Sequence, residues 1–227
     1  MCATEKMLNH IEKIRADVQK DLNAATFTKG DAETSFSPTK NFRLIATNYG
    51  SKELNLDLTK VELFSEFTGE KLFDFFTNDG QFFFGWLKKK NSEYFICSED
   101  LFGGQTVVDL TNKAIASYSP NIDGFIWTDF HLSPDGKKLA TIGCHWACSF
   151  VIKVYDFTEP MSLPLKEINE IDLIGNDEII TGWQDNETLN TKGFERTYGR
   201  TVNGDYTGKV LTQTPVQRVL KITPHSK

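Results

Sequence analysis

Four stretches of this chain end alike, and that recurrence constrains the fold more than any other feature. They are Glu66-Phe67-Thr68-Gly69-Glu70-Lys71-Leu72, Asp109-Leu110-Thr111-Asn112-Lys113-Ala114-Ile115, Asp156-Phe157-Thr158-Glu159-Pro160 and Asp205-Tyr206-Thr207-Gly208-Lys209-Val210-Leu211. Their acids lie 43, 47 and 49 positions apart. Each is an acid, an apolar residue and Thr, followed by a turn built on Gly, Asn or Pro, after which another apolar strand starts. An apolar run precedes the first three, and the fourth, after Arg200 to Gly204, is the weakest copy. A second element recurs earlier in the period. Ser133-Pro134-Asp135-Gly136-Lys137-Lys138 joins Phe125-Ile126-Trp127 to Leu139–Cys144, and Ser37-Pro38-Thr39-Lys40-Asn41-Phe42 stands 96 residues before it, two periods away. Pro presets φ and Gly is free to take φ > 0, so these are strong turn sequences.

Each period therefore holds about four short strands. In the third they read as 124–132, 139–144, 150–157 and 168–174. The blade-like turns Ser133 to Thr141 and Ile152 to Thr158 resemble those of the WD-repeat-like β-propellers, with the acid of Asp-x-Thr at the Asp of their Trp-Asp dipeptide. The resemblance is carried by residues 125–160 and 36–115 and does not extend beyond 176; the Gly-His dipeptide and the Trp beside the acid are not present. It implies an all-β, β-propeller-like array of about four antiparallel four-stranded blades, each the size of one propeller blade. The units are read as 35–80, 81–121, 122–175 and 176–222 within a domain spanning 35–227. Three arrangements satisfy this pattern: a small four-bladed ring, an open array closed by a second copy, or another β arrangement of similar units.

Ahead of the repeats, Leu8, Ile11, Ile14, Val18 and Leu22 fall on one stripe of a helix, with Thr4 as cap and Glu5 in the first turn. This predicts one amphipathic N-terminal helix over 1–24, then a polar linker over 25–34. The stripe docks on the β domain or pairs with a helix of another chain, which includes a homodimer.

Composition narrows the function classes. The chain has 227 residues and a formal charge of −6, and its one basic triplet, Lys88-Lys89-Lys90, precedes Asn91-Ser92 as a hairpin turn would. A concentrated basic surface is what nucleic acid needs, so nucleic acid is not an expected partner. No apolar run approaches the ~20 residues of a membrane span, and Met1–Leu22 has no signal-peptide core, so the expectation is a cytoplasmic protein without a membrane partner. Four cysteines are too few for a disulfide scaffold. The 18 Phe, clustered at 73, 75, 76 and at 82–84, suit strands that bury an aromatic face.

Cys144-His145-Trp146-Ala147-Cys148 gathers two thiols and an imidazole, three groups of the kind zinc takes. Cys97 and Cys144 each lie 12 residues before their acid, which reads as equivalent buried thiols in second strands, with a metal site at Cys144, His145 and Cys148, or a redox pair or hairpin disulfide, as the alternatives. Trp86, Trp127 and Trp183 fall in first strands, where a ring of aromatics would stack a ligand or pack between blades. Asp123, Asp129, His131 and Asp185 flank those strands, but their spacing matches no catalytic motif, and no P-loop, dinucleotide fingerprint or nucleophile elbow is present. Trp86, Trp127, Trp183, His131 and Asp129 are the ligand-binding candidates, with no cofactor expected. The reading is a non-catalytic protein-interaction module that uses blade loops, among them 99–104, 160–164 and 185–193. The alternatives are a hydrolase or small-ligand binder with a central-channel site, and a protein that self-assembles through its helix or an open blade edge.

Overall fold

The computed structural model describes residues 27–51, 56–77, 82–98, 102–121, 124–146, 148–175, 177–200 and 206–223. The predicted N-terminal helix over 1–24 lies outside the described residues. All regular structure among them is strand, and no helix there is long and apolar enough to cross a membrane.

The strands form four antiparallel sheets that follow the chain. The first is β1 (Thr28–Phe36), β2 (Phe42–Ser51), β3 (Leu56–Ser65) and β4 (Lys71–Thr77), paired in that order. The second is β5 (Phe84–Lys89), β6 (Ser92–Cys97), β7 (Gln105–Asp109) and β8 (Ala114–Tyr118), again in order. After a short buried strand, β9 (Phe125–Trp127), the third runs β10 (His131–Leu132), β11 (Lys138–His145), β12 (Val151–Asp156) and β13 (Glu167–Asp172). The fourth holds three strands, β14 (Ile179–Trp183), β15 (Thr188–Arg200) and β16 (Tyr206–Lys221). Four successive meandering sheets of this size are the blade-like array that the repeats predict.

Two compact units contain these sheets. Of the described residues, one comprises those from 27 to 129 with 144–146, 148 and 159–164, and the other holds the rest. In the first unit, Leu44, Ala46, Val61 and Leu63 of the first sheet pack against Phe95, Cys97, Val108 and Leu110 of the second. Phe95 is fully buried, with the rings of Phe75, Phe82, Phe84 and Trp86 at 5.4–6.4 Å between centroids. Of the clustered phenylalanines, Phe73, Phe75, Phe82 and Phe84 thus fill the wedge between two sheets, while Phe76 is exposed. In the second unit, Ala140, Ile142, Ile152 and Val154 meet Ile180, Leu189 and Ile222. Central strands are buried on both faces, so β6 reads as a continuous apolar run from Tyr94 to Cys97 rather than as alternation, while β12 buries Lys153 between Ile152 and Val154 through its pairs with Glu167 and Glu170.

The register tests the repeat residue by residue. Asp109 and Asp156 each end a third strand, facing Tyr94 and Lys138 of the second. Each carboxylate then accepts a turn N–H two residues on, from Thr111 at 3.0 Å and from Thr158 at 2.9 Å. Burial and the nearby Asp109 charge hold the Tyr94 phenol above its usual pKa. The two motifs are equivalent in space.

The outer copies differ. In the first sheet Ser65, facing Phe42, takes the place of Asp109, so the acid Glu66 stands one position late. Backbone bonds agree: Glu66 N–H donates to Asn41 O as Leu110 N–H does to Glu93 O and Phe157 N–H to Lys137 O. In the fourth sheet Tyr206-Thr207-Gly208-Lys209 opens the long strand β16 instead of ending a third strand. β1 also begins at Thr28, inside the stretch read as linker, because its residues are exposed on both faces and carry no apolar alternation.

Candidate functional site

The turns that join strands one to two and three to four leave each sheet at the same end, since the strands are antiparallel. In the first sheet Ser37 N–H donates to Phe42 O at 2.9 Å, Lys40 N–H to Ser37 O at 2.8 Å, and Phe42 N–H to Ser37 Oγ at 3.3 Å. The turn 96 residues later repeats all three bonds: Ser133 N–H to Lys138 O, Gly136 N–H to Ser133 O, and Lys138 N–H to Ser133 Oγ. Burial alone pushes Asp135 up, but the Ser133 hydroxyl and the Lys137 N–H hold its carboxyl below the usual range. Gly136 takes φ 72°, as its freedom allows, and its counterpart Lys40 takes φ 60°.

Between the turn-bearing ends of the first two sheets lies a cleft of about 540 Å³. The first sheet contributes Thr39, Asn41 and Phe42 from one turn and Ser65, Phe67 and Leu72 around the other. The second contributes Lys88, Lys90, Asn91 and Glu93 from its tight hairpin and Leu110, Thr111 and Lys113 from its later turn. Two bonds tie the sheets across it. The Thr39 hydroxyl donates to Glu93 Oε2 at 2.6 Å, and Lys113 Nζ pairs with Glu70 at 2.7 Å. Glu93 is 5% exposed and its N–H donates to the Thr111 hydroxyl. Its other oxygen, Oε1, is buried and has no hydrogen-bond partner among the described residues. A carboxylate oxygen in that state is costly, which makes it worth explaining at the floor of a cleft.

Phe67 marks the rim. In sequence it aligns with Leu110 and Phe157, which are 2% and 0% exposed, yet it is 83% exposed. The one-position shift of the first copy explains this, because Phe67 occupies the place of Thr111 and Thr158. Glu66 ion-pairs with Arg43 at 2.7 Å instead of folding back on the turn amides, and the turn closes through Gly69 N–H to Ser65 O. A phenyl ring therefore stands in water where the second and third sheets carry threonine.

The residues singled out from sequence sit elsewhere. Trp86 is in β5, donates from Nε1 to Ser35 Oγ at 3.0 Å and packs edge-on to Phe84 and Phe95. Trp127 is fully buried in β9, its N–H donating to Ser98 Oγ at 2.8 Å. Trp183, in β14, donates from Nε1 to the His131 carbonyl at 2.9 Å, so the structure brings these two together through the backbone of His131 rather than its imidazole. Trp86 and Trp183 lie in the first strands of their sheets, and Trp127 lies in the short strand β9 ahead of β10. Asp129 lies in the loop before β10, Asp185 caps the turn before β15 by accepting the Glu187 N–H, and Asp123 is outside the described residues. Cys144 and His145 end β11, the His145 ring is edge-on to Phe125 at 5.5 Å, and Cys148 N–H donates to His145 O. Among the described residues no three His, Cys, Asp or Glu side chains gather as a metal would need.

Cys97 and Cys144 are not equivalent, although each is 12 residues before its acid. Cys97 lies three residues past the partner of Asp109, and Cys144 six past the partner of Asp156, because the hairpins between the strands differ in length. The counterpart of Cys97 is Thr141, and both are fully buried, whereas Cys144 is half-buried. The cleft residues Phe67, Glu93 and Lys113 were not singled out from sequence. The available signal was an aromatic residue inside a turn whose counterparts carry threonine.

No protein-family profile matches the chain. It is 25% identical over 126 residues to an uncharacterized protein, R762, of Acanthamoeba polyphaga mimivirus, a match covering 55% of this chain and 50% of that one. The chain thus spans about half the length of the curated relative it matches. Among solved structures, the Dos1 propeller shows a TM-score of 0.40 at 12% identity, covering 79% of this chain and 57% of that one. The β-propeller domain of Cps50 (Swd1) from Myceliophteria thermophila shows 0.39 at 10%, covering 79% and 51%. The fold assignment rests on the sheets and registers above.

Proposed function

We propose that this chain is a non-catalytic interaction module that receives a protein partner at the turn-bearing end of its first two sheets. The observation that carries this is Phe67, 83% exposed at the rim of the cleft, where the third and second sheets place threonine. An exposed ring costs stability that burial against a partner returns, and aromatic anchors beside a pocket dominate binding energies. Two bonded sheets hold the surrounding turns, so the platform is preorganised. The lining holds neither histidine nor cysteine, and its one carboxylate is buried under Thr39, which favours docking over chemistry.

The test compares immobilised full-length chain with its Phe67→Ala variant as bait in the native extract. Truncating so exposed a ring leaves the fold within about 0.5 kcal/mol of its original stability. At a binding hot spot it costs about 2 kcal/mol, roughly thirtyfold in affinity. A stoichiometric partner that is retained by the original chain and lost from the variant is the expected result. A partner held equally by both places the docking surface elsewhere.

A further inference from the structure

The chain carries three non-glycine residues at positive φ among those described, and all are lysines: Lys40, Lys90 and Lys113, at 60°, 55° and 53°. Each sits in one of the turns around the cleft. A lysine in this conformation is strained where glycine is not, and the matching turn of the third sheet does use glycine, at Gly136. Positive charge is thus kept around one cleft at a conformational cost, on a chain whose formal charge is −6. Lys88 adds a fourth cation on the same wall.

Lys113 is neutralised by Glu70, and Glu66 by Arg43. Among the described residues no carboxylate is ion-paired with Lys88 or Lys90, which leaves two cations lining the opening, and Lys40, also without an ion pair there, stands between the lining residues Thr39 and Asn41. Beside them lie Phe67, Phe42 and Leu72, an apolar surface that a bare anion has no use for. At the floor, the Glu93 carboxylate repels a second carboxylate and keeps any acid on the rim.

From this arrangement we infer that the occupant of the cleft is an acidic protein segment with one aromatic or aliphatic side chain. Its carboxylates lie over Lys88 and Lys90, and its apolar side chain packs on Phe67 against Phe42 and Leu72. This inference rests on the docking reading above and adds the chemistry of what docks.

The probe is a fluorescein-labelled hexapeptide, Glu-Glu-Phe-Asp-Glu-Glu, titrated with the full chain by fluorescence anisotropy at 50 mM salt. Two comparison peptides replace every acid by Lys, or the Phe by Gly. Saturable binding of the first is expected, weakened at least tenfold by Lys88→Glu/Lys90→Glu and comparably by raising the salt to about 300 mM. The Lys-for-acid peptide should not bind, and the Gly peptide should bind more weakly. A matched reversal at exposed lysines of the second unit, Lys166→Glu/Lys192→Glu, should leave binding unchanged. Should the charge reversal disturb the hairpin, Lys88→Gln/Lys90→Asn removes the charges while giving the positive-φ site a residue that tolerates it. Absence of binding, preference for the cationic peptide, or indifference to both lysine variants and to salt overturns the inference. If Phe67→Ala loses the native partner while this peptide neither binds nor competes with it, the segment chemistry is wrong and the docking surface stands. If Phe67→Ala keeps the partner, the docking reading itself falls.

Discussion

Replacing Arg218 by alanine should lower the stability of the chain by about 3–5 kcal/mol, the cost of orphaning a buried charge. The charge is Glu178, whose side chain is 1% exposed. Arg218 donates to it from Nε at 2.8 Å and from Nη2 at 2.7 Å, and the Thr191 hydroxyl and the Ile174 N–H complete its shell. Nη2 also donates to the Asp172 carbonyl at the end of β13, so one guanidinium ties the third sheet to the fourth. Gly193 passes close by, where an added Cβ would come within 2.9 Å of the Glu178 Cα. Urea denaturation measures the effect. The paired variant Arg218→Met/Glu178→Leu should recover most of the loss, since apolar replacement of both partners removes the stranded charge. Equal losses in the single and paired variants would show that the packing of the two side chains, rather than their charges, supports this corner.

The second large effect is expected in the first unit. Phe95→Ala should cost about 3–5 kcal/mol, as for other buried aromatic truncations. Phe95 is fully buried between the two sheets, and four aromatic rings stand within 6.4 Å of its centroid, from β4, β5 and the approach to β5. A wedge filled by rings of fixed shape collapses poorly, so most of the vacated volume persists as a cavity. The denaturation midpoint should fall with its slope unchanged. Phe67→Ala provides the contrast: the same substitution should be near-neutral at the rim of the cleft and severe in the core between the two sheets.

The parts of this fold legible in the sequence are those set by short-range chemistry. The Asp109 and Asp156 turns match because a carboxylate at that place accepts the amide N–H two residues on, and it makes this bond in both copies. The Ser-Pro turns, 96 residues apart, repeat their backbone bonds for the same reason. Counting along the chain failed where strand register intervened. Cys97 and Cys144 are equidistant from their acids, but hairpins of unequal length place them three rungs apart. The Tyr206-Thr207-Gly208-Lys209 stretch has turn composition, yet irregular pairing between Tyr198 and Arg200 absorbs Gly208, at φ 73°, inside one long strand. Pro215 likewise sits in β16, opposite Phe194.

The cleft was hidden for a different reason. Its four turns come from residues 37–42, 65–72, 88–93 and 110–113, and each alone is an ordinary solvated turn. Only the packing of Leu44 and Leu63 against Phe95 and Val108 brings them to one opening and turns scattered lysines into a site. Phe67 would have been misassigned even by a careful alignment, since it lines up with buried residues and stands in the place of exposed ones.

Docking of a partner at the turn-bearing end of the first two sheets is read directly by amide hydrogen exchange. Exchange is followed on the full chain alone and with the captured partner bound. Slowed exchange should concentrate at residues 37–42, 65–72, 88–93 and 110–113, with β15 and β16 unaffected. Protection confined to the third and fourth sheets, with those four turns exchanging as fast as in the chain alone, would contradict it.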